Sequence, residues 1–231
     1  MNTPIIKALC ASAASLLLGA CSGVSTAPEI SHDGLRLQAN SAMSGTVYAR
    51  EGVDLTLYDK FTVDNCSVAF RKNWQRDQNN SSRSLNDDVS DADMNKIRTT
   101  LATLCDEQFS NVLSDAPAYT VVAGDAVDAA TLMLKPSIVN LDIAAPDVQS
   151  SSLTRSYTTE AGEMTLFLEV ADASTGEILY RVIDRRRETN TGQLQWSNSV
   201  TNLSDARRAL SYWGKSLRKA LDQVAAQKAA Q

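Results

Sequence analysis

The sequence predicts an α+β fold: a two-layer sandwich in which a mostly antiparallel sheet of about five strands carries two long helices on one face. Three observations lead there. From Glu163 to Val170, Met164, Leu166, Leu168 and Val170 alternate with Glu163, Thr165, Phe167 and Glu169, the period of a strand with one buried face. A return strand runs from Ile178 to Arg185, and Asp172 to Gly176 supply the turn, with Gly176 placed for the positive φ that closes a short hairpin. Two amphipathic stretches, one beginning near Ser90 and one near Ser204, supply the helices.

Along the chain, Val53 to Tyr58 is a short alternating or single-turn element. Phe61 to Phe70 reads as the first strand. Its phase is broken, because Phe61 and Val63 fall on one face and Cys66, Val68 and Phe70 on the other, which predicts a bulge near Asn65 or burial on both faces. Arg71, Lys72, Trp74 and Arg76 follow as the densest basic and aromatic cluster. Arg71, Trp74 and Arg76 are candidate contacts for a ligand or lipid headgroup; the alternative is a strand end where Trp74 packs and the charges are solvated. Asp77 to Val89 reads as a polar loop.

Ser90 is placed as an N-cap, with Asp91 and Asp93 at the positive end of the helix dipole. Met94, Ile97, Leu101, Leu104, Cys105, Val112 and Leu113 then recur at three- and four-residue steps, a helix of about 22 residues. Asp115 to Pro117 end it. Capping accounts for the acids at Asp87, Asp88, Asp91 and Asp93 without a metal. Tyr119 to Val122 is a short strand, and Leu132 to Ile143 a longer one that Pro136 should confine to a sheet edge or bulge. Pro146 to Gly162 is a long polar loop, Arg185 to Arg187 a solvated basic run, and Gln193 to Asn202 a polar connection. Leu210, Trp213, Leu217, Leu221 and Val224 form the stripe of the last helix.

The amino terminus predicts location. Residues 1–20 carry one charge, Lys7, an apolar run from Ala8 to Leu18, and then Leu18-Gly19-Ala20-Cys21. As a helix the run would span about 16 Å, short of the ~30 Å hydrocarbon layer, so it reads as an export signal. The tetrapeptide is similar to the bacterial lipobox, which implies cleavage before Cys21 and acylation of its thiol and new amino group. Three chains give lasting attachment where one is marginal. Ser22, where inner-membrane lipoproteins carry aspartate, implies the outer membrane. Ser22 to Gly45 is rich in Ser, Ala and Gly and reads as a flexible tether. The expected organisation is therefore a signal over residues 1–20, a lipidated tether over 21–45, and one periplasmic domain over 46–231.

Removing the first twenty residues leaves 21 basic against 27 acidic side chains, a net charge of −6. That argues against a nucleic-acid partner, whose phosphates need a basic face. Once Cys10 leaves with the signal and Cys21 takes lipid, Cys66 and Cys105 remain, a candidate disulfide in an oxidising compartment or else two separate buried thiols. His32, the single histidine, lies in the tether, which removes Ser-His-Asp and Cys-His catalysis and most zinc chemistry from the domain. No phosphate-binding or dinucleotide fingerprint appears, and no cofactor is expected.

Phe70 to Asp77 (FRKNWQRD), Ser156 to Val170 (SYTTEAGEMTLFLEV) and Leu194 to Asn202 (LQWSNSVTN) occur in order, and with them the chain from about Gly45 to Val224 resembles the proteobacterial lipoproteins grouped as domain of unknown function 3313. The resemblance implies an envelope lipoprotein and brings no catalytic residues. Asn202 to Leu210 also resembles the helix of the peptidoglycan-binding outer-membrane-protein-A-like domain, without that motif's upstream glycine-flanked aspartate and with a shorter Asn-to-Leu spacing. The expected function is a non-catalytic binding or assembly-accessory domain, anchored to the periplasmic face of the outer membrane, with an envelope protein or peptidoglycan as partner. The alternative is a cell-envelope hydrolase using paired carboxylates, with Glu160 and Glu163 as candidates.

Overall fold

A computed structural model describes residues 27–81, 88–115, 117, 119–143, 157–158, 162–187, 195–196 and 199–230. Its frame is the hairpin of β8 (Glu163–Asp172) and β9 (Ile178–Arg187), paired antiparallel from Glu163 opposite Arg187 to Ala171 opposite Ile178. The turn closes as its residue types require. Asp172 Oδ1 accepts hydrogen bonds from the backbone and hydroxyls of Ser174 and Thr175, and Gly176 takes φ +74°. These donors, the Ser174 hydroxyl first, hold the Asp172 carboxyl down at about 2.

The hairpin sits in an eight-stranded mixed sheet, larger than the five strands expected. Its order places β1 (Arg36–Leu37), β2 (Thr46–Ala49), β9, β8, β6 (Thr131–Asp142), β3 (Lys60–Val63) and β5 (Thr120–Val121) side by side, with β4 (Ser67–Phe70) also on β6. Pairings from β1 through β6 are antiparallel, whereas β3 and β4 run parallel to β6, and β5 parallel to β3. A separate two-stranded ladder joins β7 (Tyr157–Thr158) to β10 (Gln195–Trp196). The extra strands are two to four residues long, too short for a period to show, and exist through their partners.

Two expectations about strands change. Phe61 to Phe70 is not one bulged strand but two, β3 and β4, interrupted at Asp64–Cys66. Pro136 lies in the central strand β6, not at an edge. The Asp64 N–H donates to the Leu134 carbonyl, so residues of that parity turn their backbone groups toward β3 and β4. Pro136 falls in the gap between Val63–Leu134 and Ser67–Ser137, where a missing donor breaks no ladder bond.

Three helices complete the fold. α1 (Trp74–Ser81) occupies sequence read as a strand end and polar loop. α2 (Asp91–Ser114) has the expected start: Ser90 and Asp93 form a reciprocal capping box, and Asp115 caps the far end. α3 (Ser199–Ala229) begins five residues before Ser204. Leu101, Leu104, Cys105, Phe109 and Leu113 of α2 and Leu210, Trp213, Leu217 and Leu221 of α3 bury in one cluster with Leu132, Leu134, Ile138, Leu166, Leu168 and Val182 of the sheet. Gly214 lets the two helices meet, since a Cβ there would lie 2.7 Å from Val112 Cγ2. Among the described residues no helix is long and apolar enough to cross a membrane.

The segment read as a tether to Gly45 is folded from Pro28. Leu35 is fully buried, Met43 joins the main cluster, and Gly45 at φ +87° passes so close to β9 that a Cβ would stand 2.5 Å from the Ile183 carbonyl oxygen.

A disulfide joins Cys66, in the link between β3 and β4, to Cys105 in the middle of α2, with Cα atoms 6.1 Å apart. Asp106 accepts the Cys66 N–H at 2.7 Å beside it. The bridge closes a 39-residue loop. Reduction, or the Cys66→Ala/Cys105→Ala pair, should therefore lower unfolding free energy by about 4 kcal/mol in the chain-entropy model, read by urea denaturation with and without reductant.

Candidate functional site

Of the cluster singled out at Arg71, Trp74 and Arg76, the structure turns Trp74 inward, leaves Arg71 half-buried and leaves Arg76 exposed. Trp74 is 1% exposed, stacks on Phe70 with ring centroids 4.3 Å apart, and donates its Nε1 hydrogen to the Ile143 carbonyl at 2.9 Å. With Val89 and Met94 it forms a small second core beneath the start of α2. Arg71 bridges Asp77 and Asp142, both at 2.6 Å, and Arg76 pairs with Asp77 at 2.9 Å. Asn73, at φ +64°, makes the sharp entry into α1. This arrangement locks α1 to the end of β6. It corrects the ligand-contact reading for Trp74, whose ring is committed to packing.

Two buried charges that sequence reasoning passed over organise the rest. Asp184 extends from β9 toward the helices, where its Oδ2 accepts from Trp213 Nε1 at 2.9 Å and from the Ser44 hydroxyl at 2.8 Å, while the Ser44 N–H donates to Ser216 Oγ. One carboxylate thus ties β9, α3 and the segment before β2. Beside it Arg186 lies over the Tyr212 ring, its Cζ 3.4 Å from the centroid. The basic run is therefore not uniformly solvated: Arg186 packs on α3 and Arg185 pairs with Glu163.

On the opposite face of β9, Arg181 is the most enclosed charge among the described residues. Its side chain is 7% exposed; it donates to both Asp33 oxygens at 2.8 and 2.6 Å and to Glu169 Oε1 at 3.0 and 2.7 Å, and its Cζ lies 5.4 Å from the Phe167 centroid. Ser31 also donates to Asp33, and the Tyr48 hydroxyl donates to the Pro28 carbonyl. The Arg181 guanidinium, then the Ser31 hydroxyl, hold the Asp33 carboxyl well below the usual carboxylate range. Residues 28–37 are fastened to the sheet by these contacts. The only signal available in the sequence was an Asp beside the lone histidine in an otherwise small, polar stretch, which matches many loops.

A third cluster closes the far end of the helix pair: Arg218 donates to the carbonyls of Val112, Asp115 and Pro117, and Tyr119 donates to Asp222. Burial, then Asp222, push the Tyr119 hydroxyl up to about 12. Among the described residues no group of three His, Cys, Asp or Glu side chains converges as a metal site. Of the carboxylates weighed for hydrolysis, Glu163 pairs with Arg185. Glu160, most of the Pro146 to Gly162 loop, Asp87 and Cys21 lie outside the described residues.

With the fold defined, the chain belongs to the family described as Protein of unknown function (DUF3313), whose model matches residues 30–217. Among solved structures it is similar to the PelC dodecamer from Paraburkholderia phytofirmans in two crystal forms. One, a point variant, is 13% identical and covers 74% of this chain and 97% of its own, with a TM-score of 0.31. The other is 13% identical and covers 73% and 98%, with a TM-score of 0.33. No curated protein matches.

Arg181→Met should lower stability by about 3 kcal/mol at neutral pH, because Asp33 and Glu169 lose the charge they enclose. Asp33 has a depressed folded-state value, so its contribution is present in full above its unfolded pKa of about 4 and is lost progressively as pH falls from there through the lower folded value. Urea titrations at pH 7 and pH 3 should show the gap between wild type and variant narrowing on the acid side. Trp74→Ala should remove about 3–5 kcal/mol by cavity formation, while Arg76→Ala, at a 64% exposed side chain, should stay within about 0.5 kcal/mol.

Proposed function

We propose that this chain is an exported, lipid-anchored domain on the periplasmic face of the outer membrane that works by binding another envelope component. The observation that carries the export reading is the Cys66–Cys105 disulfide, whose cysteines are both buried in the main core, a device suited to an oxidising compartment. Leu18-Gly19-Ala20-Cys21 supports the anchor and Ser22 the outer membrane. The non-catalytic reading is supported by what the enclosed polar side chains do: Arg71, Arg181, Asp184, Trp74 and Trp213 each hold one element of the fold to another. In the finer architecture, α2 and α3 form one layer on one sheet face, supported by their shared cluster with Leu134, Ile138, Leu166 and Leu168. The partner is an envelope protein or peptidoglycan.

Fractionation of cells making the wild type and Cys21→Ser reads the anchor. The wild type should carry the acyl mass on Cys21 and sediment with outer membranes, and the variant should lose both. Crosslinking in intact cells followed by affinity capture, with and without lysozyme digestion, reads the partner. A partner retained after digestion identifies a protein, one released by it identifies peptidoglycan, and no reproducible adduct overturns the binding reading.

A further inference from the structure

The point where the chain enters the folded domain sets how the domain can stand at a membrane. Pro28 is exposed, and from it the chain is held to the sheet by the Tyr48 hydroxyl, by the Ile30–Arg36 bridge, by the Leu37 N–H donating to the Glu29 carbonyl, and by Asp33 on the buried Arg181. Cys21 is seven residues upstream of Pro28. Covalent geometry limits that span to about 25 Å at full extension. A domain of roughly 200 residues is about 40 Å across. A leash shorter than the domain is wide cannot let the side opposite Pro28 turn toward the surface that holds Cys21.

We propose that the face formed by Glu29 to Arg36 lies against the lipid bilayer in which Cys21 is anchored, so that the domain has a fixed, membrane-facing side. The proposal rests on the lipid-anchor reading above and adds an orientation to it. The surface suits a lipid interface: Ile30 is 52% exposed and His32 87% exposed, and Arg36 reaches outward to pair with Glu51 at 3.0 Å. Charges of both signs stand there, Glu29 and Glu51 with Arg36, which pairs with Glu51, so the leash and Ile30 hold the contact and a net charge does not. The Arg71–Asp142 contact and α1 lie at the other end of the sheet. Asp142 pairs with Glu163, while Arg181 pairs with Glu169, six residues or about 20 Å farther along β8. The outward end of the molecule is therefore the one carrying Lys72 and α1.

The test uses the full-length lipoprotein in phosphatidylethanolamine–phosphatidylglycerol vesicles containing headgroup-nitroxide lipid. A fluorophore is attached at His32→Cys or, separately, at Lys72→Cys, with Glu29→Cys as a second near-side position should the first label disturb folding. Quenching should be at least about threefold greater at position 32 or 29 than at 72 and unchanged by 0.5 M salt. A 20-residue Gly-Ser insertion after Ser22 should abolish the difference. Equal quenching at both ends on acylated protein overturns the orientation and leaves the anchor standing. A quenching difference that persists after the insertion overturns the short leash as its cause, and a terminus without acyl mass overturns anchor and orientation together.

Discussion

The Arg181 guanidinium is the constraint on which the arrangement of this domain turns. A cation this enclosed is tolerated only with its charge compensated, and two carboxylates from different parts of the chain do so: Glu169 across the hairpin and Asp33 from far upstream. Removing either leaves charge desolvated without a full partner. The N-terminal segment is therefore part of the domain. Leu35 within that segment and Tyr48 on β2, opposite Arg181, are both buried.

On the other side of the same strand, Asp184 performs the complementary task. It accepts from Trp213 and Ser44, so that α3 and the entry to β2 converge on one carboxylate, and Gly45 makes the approach sterically possible. With Arg181 and Asp184 three residues apart, β9 has a charged anchor on each face. The strand is thereby fixed in register, because a slip of one residue would exchange those faces. The disulfide provides an independent constraint between α2 and the break separating β3 from β4. It holds down the one place where the sheet neighbour of β6 changes, beside Pro136.

This pattern bears on how function is to be sought. Trp74, Arg71 and Arg76 attract notice in sequence because aromatic and basic side chains together resemble a binding patch, yet the ring fills a core and Arg71 ties two acids. In this fold the conspicuous enclosed polar residues are joints between elements. Recognition of a partner by such a domain would fall to its outer surface and sheet edges.

What the sequence by itself determined is whatever a local period or a local hydrogen bond can specify. The β8–β9 alternation, the Asp172–Gly176 turn, the Ser90–Asp93 start of α2 and the stripe of α3 are all set by residues within a few positions of one another, and each was readable. Tertiary structure alone decided the eight-stranded order, the parallel placement of β3 and β4, the central position of Pro136 and the docking of residues 28–45. Those depend on partners far away in the chain, such as Asp33 with Arg181 and Ser44 with Asp184, separated by 148 and 140 residues. A two-residue strand or a lone buried charge has no period to announce it. Its identity comes from what the folded chain brings opposite.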